Sequence, residues 1–330
     1  MPGLRVLVLD GGGARGLFTV EVLRYIEMSC GRPIRECFDL IVGTSIGGFI
    51  AGLIANGTPI DEMEARFVAM TACLAKAQPT IPSIASRLVW GHVLDAHDWD
   101  TQLRATVGEA TLAQLPASPR LVLMAADART VIPHPFLIRN RPLPPEAAAR
   151  SAFASSSSMR LADALRAVTA APTIYPAHVV DGIPLVDAGI LANNPVLFAI
   201  AEASLLGPSL DCVVSIGTGI ETRIPHPSPQ RGVLGWTWAT IKRAADPETA
   251  EMLAQGLLAP SQYIRFDPPK AGDCSTWESD PTTLHQWRRQ VQTYMHGCQD
   301  TLAALVPRLC PENPVGEDNE GRSVSNASGP

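Results

Sequence analysis

The chain has 330 residues, enough for one large α/β domain or two small ones, with 46 % hydrophobic against 18 % charged residues. That balance excludes a disordered or fibrous chain. A net charge of −6 without a basic cluster excludes nucleic acid as an expected partner, and a membrane surface would have to be held mainly by apolar contact.

Met1 to Arg5 runs directly into Leu4–Leu9, an apolar run that predicts a strand buried on both faces, with no leader pattern before it. Leu17 to Met28 has helical spacing, with Val20, Leu23 and Ile26 inward. Phe38 to Val42 predicts a second strand. Ile46, Phe49, Ile50, Leu53 and Ile54 then form the stripe of a helix ending near Asn56-Gly57. Residues 40–60 carry no charge and could pass for a membrane span, but four glycines between 43 and 52 make a strand, a tight turn and a buried helix the better reading. Residues 76–100 and 224–236, rich in Pro, Trp and His, read as long loops or lids. Further strands are expected at Arg120–Ala126 and Asp211–Ile216, with a polar loop at Ser155–Ser158. Strands alternating with helices predict an α/β, three-layer sandwich with a mainly parallel central sheet. Seven cysteines without C-x-x-C pairs read as buried thiols in a reducing compartment, and a cytoplasmic protein is expected.

Gly43-Thr44-Ser45-Ile46-Gly47 fits G-x-S-x-G between a strand and a helix. A serine with an exposed Oγ needs such a strained turn, glycines two residues either side leave it room, and the helix start adds free N–H groups. Ser45 is therefore the candidate nucleophile, with Gly43 and Gly47 building its elbow.

Asp10-Gly11-Gly12-Gly13-Ala14-Arg15-Gly16 closes the first strand. Its glycines can turn N–H groups toward one point, an oxyanion hole from Gly11, Gly12 and Gly13, with Arg15 adding charge or bracing the loop. Gly11, Gly13 and Gly16 also satisfy the dinucleotide pattern G-x-G-x-x-G. That reading needs an acid at the end of the second strand, whereas Asp39 precedes it, and Ser45 would have no role. No Gly-Lys-Ser/Thr completes a Walker loop.

For the base, Asp187 after an apolar strand and before Ala188-Gly189 is moderately favoured over Asp127 and Asp163. A Ser-His-Asp order would need a downstream histidine, and His226, His285 and His296 each read better as surface or packing residues. No cluster with metal-ligand spacing appears, so no metal or cofactor is expected.

Asp10–Gly16, Gly43–Gly47 and Asp187–Gly189 together resemble the patatin-like phospholipase family. Arg166–Pro176, Asn193-Asn194-Pro195 and Ser215–Gly219 are similar to it as well, so the resemblance covers roughly residues 4–220. One departure is Ala188, where many members have glycine; its methyl would matter only at positive φ. The organisation of the chain predicts one domain over 1–308 and, from its Gly/Ser/Asn/Pro-rich end, a disordered tail at 309–330. The resemblance implies a catalytic dyad of Ser45 and Asp187, supported by Gly189, in place of a triad. It also implies a phospholipase A or lysophospholipase activity on membrane glycerolipids at the bilayer surface, through an acyl-enzyme and without cofactor. Trp90, Trp99, Trp236 and Trp238, expected in loops, could dip into such an interface or pack lids on the core. Some members are switched on by a ligand or protein; no residue here names an activator or an oligomeric state.

Overall fold

The computed structural model describes residues 3–74, 92, 94, 96–151, 154–156, 158–219, 247–268, 274, 276 and 278–310, and of 71–74 and 154–156 the backbone alone. Among the described residues nine strands form one sheet: β1 (Leu4–Leu9), β2 (Leu40–Thr44), β3 (Arg120–Asp127), β4 (His134–Arg139), β5 (Ala154–Ser156), β6 (His178–Val180), β7 (Ile183–Asp187), β8 (Leu210–Ile216) and β9 (Tyr263–Phe266). The helices are α1 (Leu17–Cys30), α2 (Ile34–Cys37), α3 (Ile46–Ala55), α4 (Ile60–Leu74), α5 (His97–Val107), α6 (Pro145–Arg150), α7 (Leu161–Val168), α8 (Val196–Leu206), α9 (Pro247–Leu257), α10 (Pro281–His296) and α11 (Gln299–Leu309).

Strand order is β5-β4-β3-β2-β1-β8-β9, and the five strands from β3 to β9 on this path are parallel. β4 joins β3 antiparallel and carries β5, and β7 pairs antiparallel with both β3 and β6. Buried on both faces, the central strands are near-continuous Val, Ile and Leu. Their period of two divides them between two cores. Leu7, Leu9, Ile41, Leu121, Leu123 and Ile216 pack against Phe18, Leu23, Phe49, Leu53, Leu165 and Trp287 of α1, α3, α7 and α10. Val6, Val8, Val42, Val122, Met124 and Val213 face Val196, Ala199 and Ala203 of α8 and Ala254 of α9. The α/β sandwich expected from the alternation of elements is the observed architecture, with the sheet mixed at the β4–β7 side. The uncharged stretch from 40 to 60 is β2, an elbow and α3. Among the described residues no helix is long and apolar enough to cross a membrane.

Three local expectations change. The loop expected over 76–100 gives way to α5 from His97, because Trp99, Leu103 and Val107 are spaced as one buried stripe. Trp99 is therefore no interface residue: it is 3 % exposed, stacks on Tyr175 at 5.9 Å and donates from Nε1 to Thr169 Oγ1 at 2.9 Å. Trp90, Trp236 and Trp238 lie outside the described residues, as does the loop expected at 224–236. Of the polar loop expected at Ser155–Ser158, the first two residues belong instead to β5, on the edge of β4. The boundary drawn at 308 falls inside α11, whose last residue Leu309 is fully buried, and residues 311–330 lie outside the description.

Candidate active site

The sheet itself brings the two halves of the site together. β2 runs parallel along β3 and ends with Thr44 opposite Met124. The next residue of β3, Ala125, is paired with Asp187, the last residue of antiparallel β7. β4 occupies the other edge of β3 through this whole stretch. β2 and β7 therefore meet head to head on one edge, and the residue after β2 faces the end of β7. Ser45 Oγ donates to Asp187 Oδ2 at 2.5 Å across 142 residues of sequence.

Ser45 has φ 55° and ψ −127°, a conformation unfavourable to any side chain, which the packing of β2 against α3 imposes. Both flanking glycines are required by close approach. A Cβ on Gly43 would stand 2.5 Å from Gly47 O, and one on Gly47 would stand 2.3 Å from Leu9 O and 2.5 Å from Asp10 O. The strand end of β1 therefore presses against the first turn of α3, whose leading N–H groups have no intrahelical acceptor.

Asp187 is 5 % exposed, and among the described residues no cation is near enough to offset its burial. Burial pushes its pKa up to about 6, although the Ser45 hydroxyl and the Gly189 N–H, donating to Oδ1 at 2.7 Å, favour the ionised form. The Asp187 N–H is held by Ala170 O at 3.0 Å, which gives the Arg166–Pro176 segment its place against the site. Arg166 in turn donates to Pro176 O at 2.9 Å. Ala188 does not adopt positive φ, so its methyl group is accommodated.

The glycine loop is fixed from three sides. Gly11 N–H donates to Asn193 O at 2.9 Å, and Gly11 O accepts from Thr218 Oγ1 at 2.9 Å and Asn193 Nδ2 at 3.2 Å. A side chain on Gly11 would meet Asn193 Oδ1 at 2.3 Å and Ser45 Cβ at 3.1 Å, so the loop lies directly against the serine. Of the three expected donors, Gly11 N–H is thus already engaged. Among the described residues no acceptor is recorded for the N–H groups of Gly12 and Gly13. Ala14 N–H is tied to Thr276 O at 2.9 Å. Arg15 is buried, and its carbonyl accepts from Trp287 Nε1 at 3.4 Å. Beneath the loop, Asp10 is fully buried and Arg265 binds it at 2.7 Å, along with Asp267 at 2.7 Å and Ser215 Oγ at 2.7 Å.

The alternative acids are occupied elsewhere. Asp127 chelates Arg129, with a shortest contact of 2.6 Å, and Asp163 faces His178 at 3.4 Å and Arg104 at 3.8 Å. Both carboxyls are held below the usual range by these partners. His285 and His296 are exposed on α10, and His226 lies outside the described residues. Asp39 sits at the start of β2, bound to Arg5 at 2.8 Å, at the wrong end of the sheet for a ribose. Sequence reasoning missed Arg265 and Asp267, and assigned Asn193 and Thr218 no role. Arg265 lies in β9, where Tyr-Ile-Arg-Phe looks like a half-exposed edge and carries no motif.

An elbow serine between a parallel strand and a helix, hydrogen-bonded to a buried aspartate, defines a serine-carboxylate site on an α/β sheet. The model of the patatin-like phospholipase family matches residues 7–200, which include every residue of that site, and the chain belongs to this family. Calcium-independent phospholipase A2-gamma of Oryctolagus cuniculus is 27 % identical over 319 residues, covering 94 % of this chain and 40 % of that protein. The chain thus spans less than half of that relative. A cUMP-AMP-activated phospholipase of Escherichia coli is 29 % identical over 239 residues, covering 70 % of this chain and 68 % of its own length. Among solved structures, VipD from Legionella pneumophila is a distant likeness, with a TM-score of 0.42 and 12 % identity over 90 % of this chain and 67 % of that one.

Proposed function

We propose that the protein is a lipid acyl hydrolase of the phospholipase A or lysophospholipase type, working through a dyad of Ser45 and Asp187. The observation that carries this reading is the 2.5 Å hydrogen bond from Ser45 Oγ to a buried carboxylate raised to about 6. Asp187 accepts the hydroxyl proton as Oγ attacks the ester carbonyl. The N–H groups of Gly12 and Gly13, with those at the start of α3, are the donors available to the oxyanion. The alcohol or lysolipid leaves with a proton from Asp187. A water molecule then gives its proton to the same carboxylate and attacks the acyl-enzyme, and Asp187 passes that proton to Ser45 Oγ as the fatty acid is released. Gly189 keeps the Asp187 carboxylate turned toward the serine. Every step uses the chain's own groups, so the reading assigns no cofactor.

A membrane glycerolipid is the proposed substrate, since both relatives are named phospholipases. Contact with the bilayer is then peripheral, in keeping with the absence of a spanning helix among the described residues. Labelling with a fluorophosphonate probe, followed by peptide mass spectrometry, tests the dyad without a guess at the lipid. The adduct is expected on Ser45 and should disappear in Ser45→Ala and fall sharply in Asp187→Asn. Fatty-acid release from phosphatidylcholine vesicles should follow the same order. Undiminished labelling in Asp187→Asn would refute the dyad.

A further inference from the structure

Far from the serine, three cysteines converge. Cys30 is the last residue of α1, Cys37 the last of α2, and Cys310 caps α11. Their sulfurs all lie within 4.8 Å of one another. None is in a disulfide. Cys37 is buried, while Cys30 and Cys310 are half-buried, which leaves a way in. α1 leaves the C-terminal edge of β1 and returns to the N-terminal edge of β2, so the cluster lies at the opposite end of the sheet from Ser45. Arg5, at the start of β1, marks this edge by donating to Leu309 O at 2.6 Å, one residue before Cys310.

The geometry points to a metal site: Cys30, Cys37 and Cys310 form a three-thiolate centre for a thiophilic closed-shell cation, zinc or cuprous copper. Soft sulfur ligands select these ions, and three thiolates satisfy trigonal Cu(I) or leave zinc one position for water. Zinc with Zn–S bonds of about 2.3 Å needs sulfurs about 3.8 Å apart, so the edges of the triangle contract by about 1 Å at most. Present contacts do not resist this. Cys37 Sγ leans on Pro33 O at 3.6 Å and Cys310 Sγ on Cys30 O at 3.7 Å, both weak sulfur hydrogen bonds. On binding, each S–H bond breaks, its proton goes to solvent and a metal–sulfur bond forms, with no change of oxidation state. Such a centre would staple the end of α11 to the first two helices across 280 residues of sequence.

The test uses the full reduced chain, stripped with a chelator and titrated separately with Zn2+ and with Cu(I) against chromophoric competitors. One equivalent is expected to bind, shielding Cys30, Cys37 and Cys310 from alkylation while Cys212 and Cys298 keep their metal-free reactivity. Co2+ should give thiolate-to-metal charge-transfer absorption. Cys310→Ser, on the half-buried ligand at the chain's surface, should keep the fold by circular dichroism yet weaken binding at least tenfold. Cys212→Ser should leave it unchanged. The tighter of the two ions names the cation. Binding of neither ion, or equal binding in Cys310→Ser, would overturn the site.

Discussion

Exchanging Asp187 for asparagine separates the chemistry of this carboxylate from its effect on the fold. Asp187 titrates near 3.8 in an unfolded chain and at about 6 in the folded one, because burial outweighs the donations from Ser45 and Gly189. A carboxyl whose folded value is raised contributes stability that is complete below 3.8 and lost as pH rises through about 6. At 1.36 kcal/mol per unit, ionisation of this one group destabilises the native state by about 3 kcal/mol at pH 8. Asp187→Asn removes the charge and keeps the essential partners, since the amide oxygen still accepts from Gly189 and the amide nitrogen can donate to Ser45 Oγ. Urea unfolding at pH 8 should therefore find the variant more stable than the parent by about 2–3 kcal/mol. The gain should shrink to about 1.5 kcal/mol at pH 5 and vanish below pH 4. Every other titrating group is common to both proteins and cancels. A variant less stable at pH 8, or a gain independent of pH, would show that desolvation is not what governs Asp187.

In the proposed dyad only ionised Asp187 accepts the proton, so kcat/KM should rise about tenfold per pH unit below pH 6 and level off above it; a profile still climbing through pH 8 would point to a different base. Gly47→Ala places a methyl group 2.3 Å from Leu9 O inside a buried strand end, and should lower stability by about 1–3 kcal/mol and abolish labelling of Ser45. An unchanged urea midpoint would contradict the close packing of the elbow. Arg139 and Glu202, at 3 % and 2 % exposure, form a buried ion pair between β4 and α8 at 2.8 Å. Glu202→Gln strands the guanidinium and should cost about 3–5 kcal/mol, whereas Arg139→Met with Glu202→Leu should cost much less. Calorimetry on the two variants decides this, and equal losses would mean that the pair contributes through packing alone.

What could be read from the sequence was whatever is written locally. β1, β2 and α3 announce themselves because an apolar run, a glycine turn and a helical stripe occur within a dozen residues, and the elbow serine is fixed by the same letters. α5 was hidden by its neighbourhood of Pro, Trp and His, although Trp99, Leu103 and Val107 already had helical spacing. β9 was hidden because Tyr-Ile-Arg-Phe is short and carries a charge, and the buried place of Arg265 shows only once Asp10 and Asp267 are found around it. Without the family resemblance, residue types left Asp187 only moderately favoured over Asp127 and Asp163, for a topological reason. Asp187 reaches Ser45 only because β7 takes over the edge of β3 where β2 stops, and no local pattern encodes that handover. The cysteine cluster is the extreme case, with its members at 30, 37 and 310.

In the proposed dyad a single carboxylate stands where histidine usually does, and the surroundings of the acidic residues favour Asp187 for that place. An ordinary aspartate is too weak a base near neutrality, and pairing weakens it further: Asp127 beside Arg129 and Asp163 beside His178 are both driven down. Asp10 has the opposite character, raised to about 7 by burial, yet one of its oxygens is held by Arg265 at 2.7 Å and it serves to anchor the glycine loop. Asp187 combines burial with the absence of a neighbouring cation among the described residues, and its second oxygen meets a hydroxyl. Its pKa of about 6 approaches the ordinary value of imidazole, about 6.5. In the proposed dyad the end of β7 would supply by desolvation the basicity that a triad obtains from a histidine ring, the proton passing from Ser45 to Asp187 and on to the leaving group. The same reasoning makes the site intolerant of positive charge: a lysine or arginine introduced within about 5 Å of Asp187 would lower its basicity by about 1–3 units and slow the attack of Ser45 in proportion.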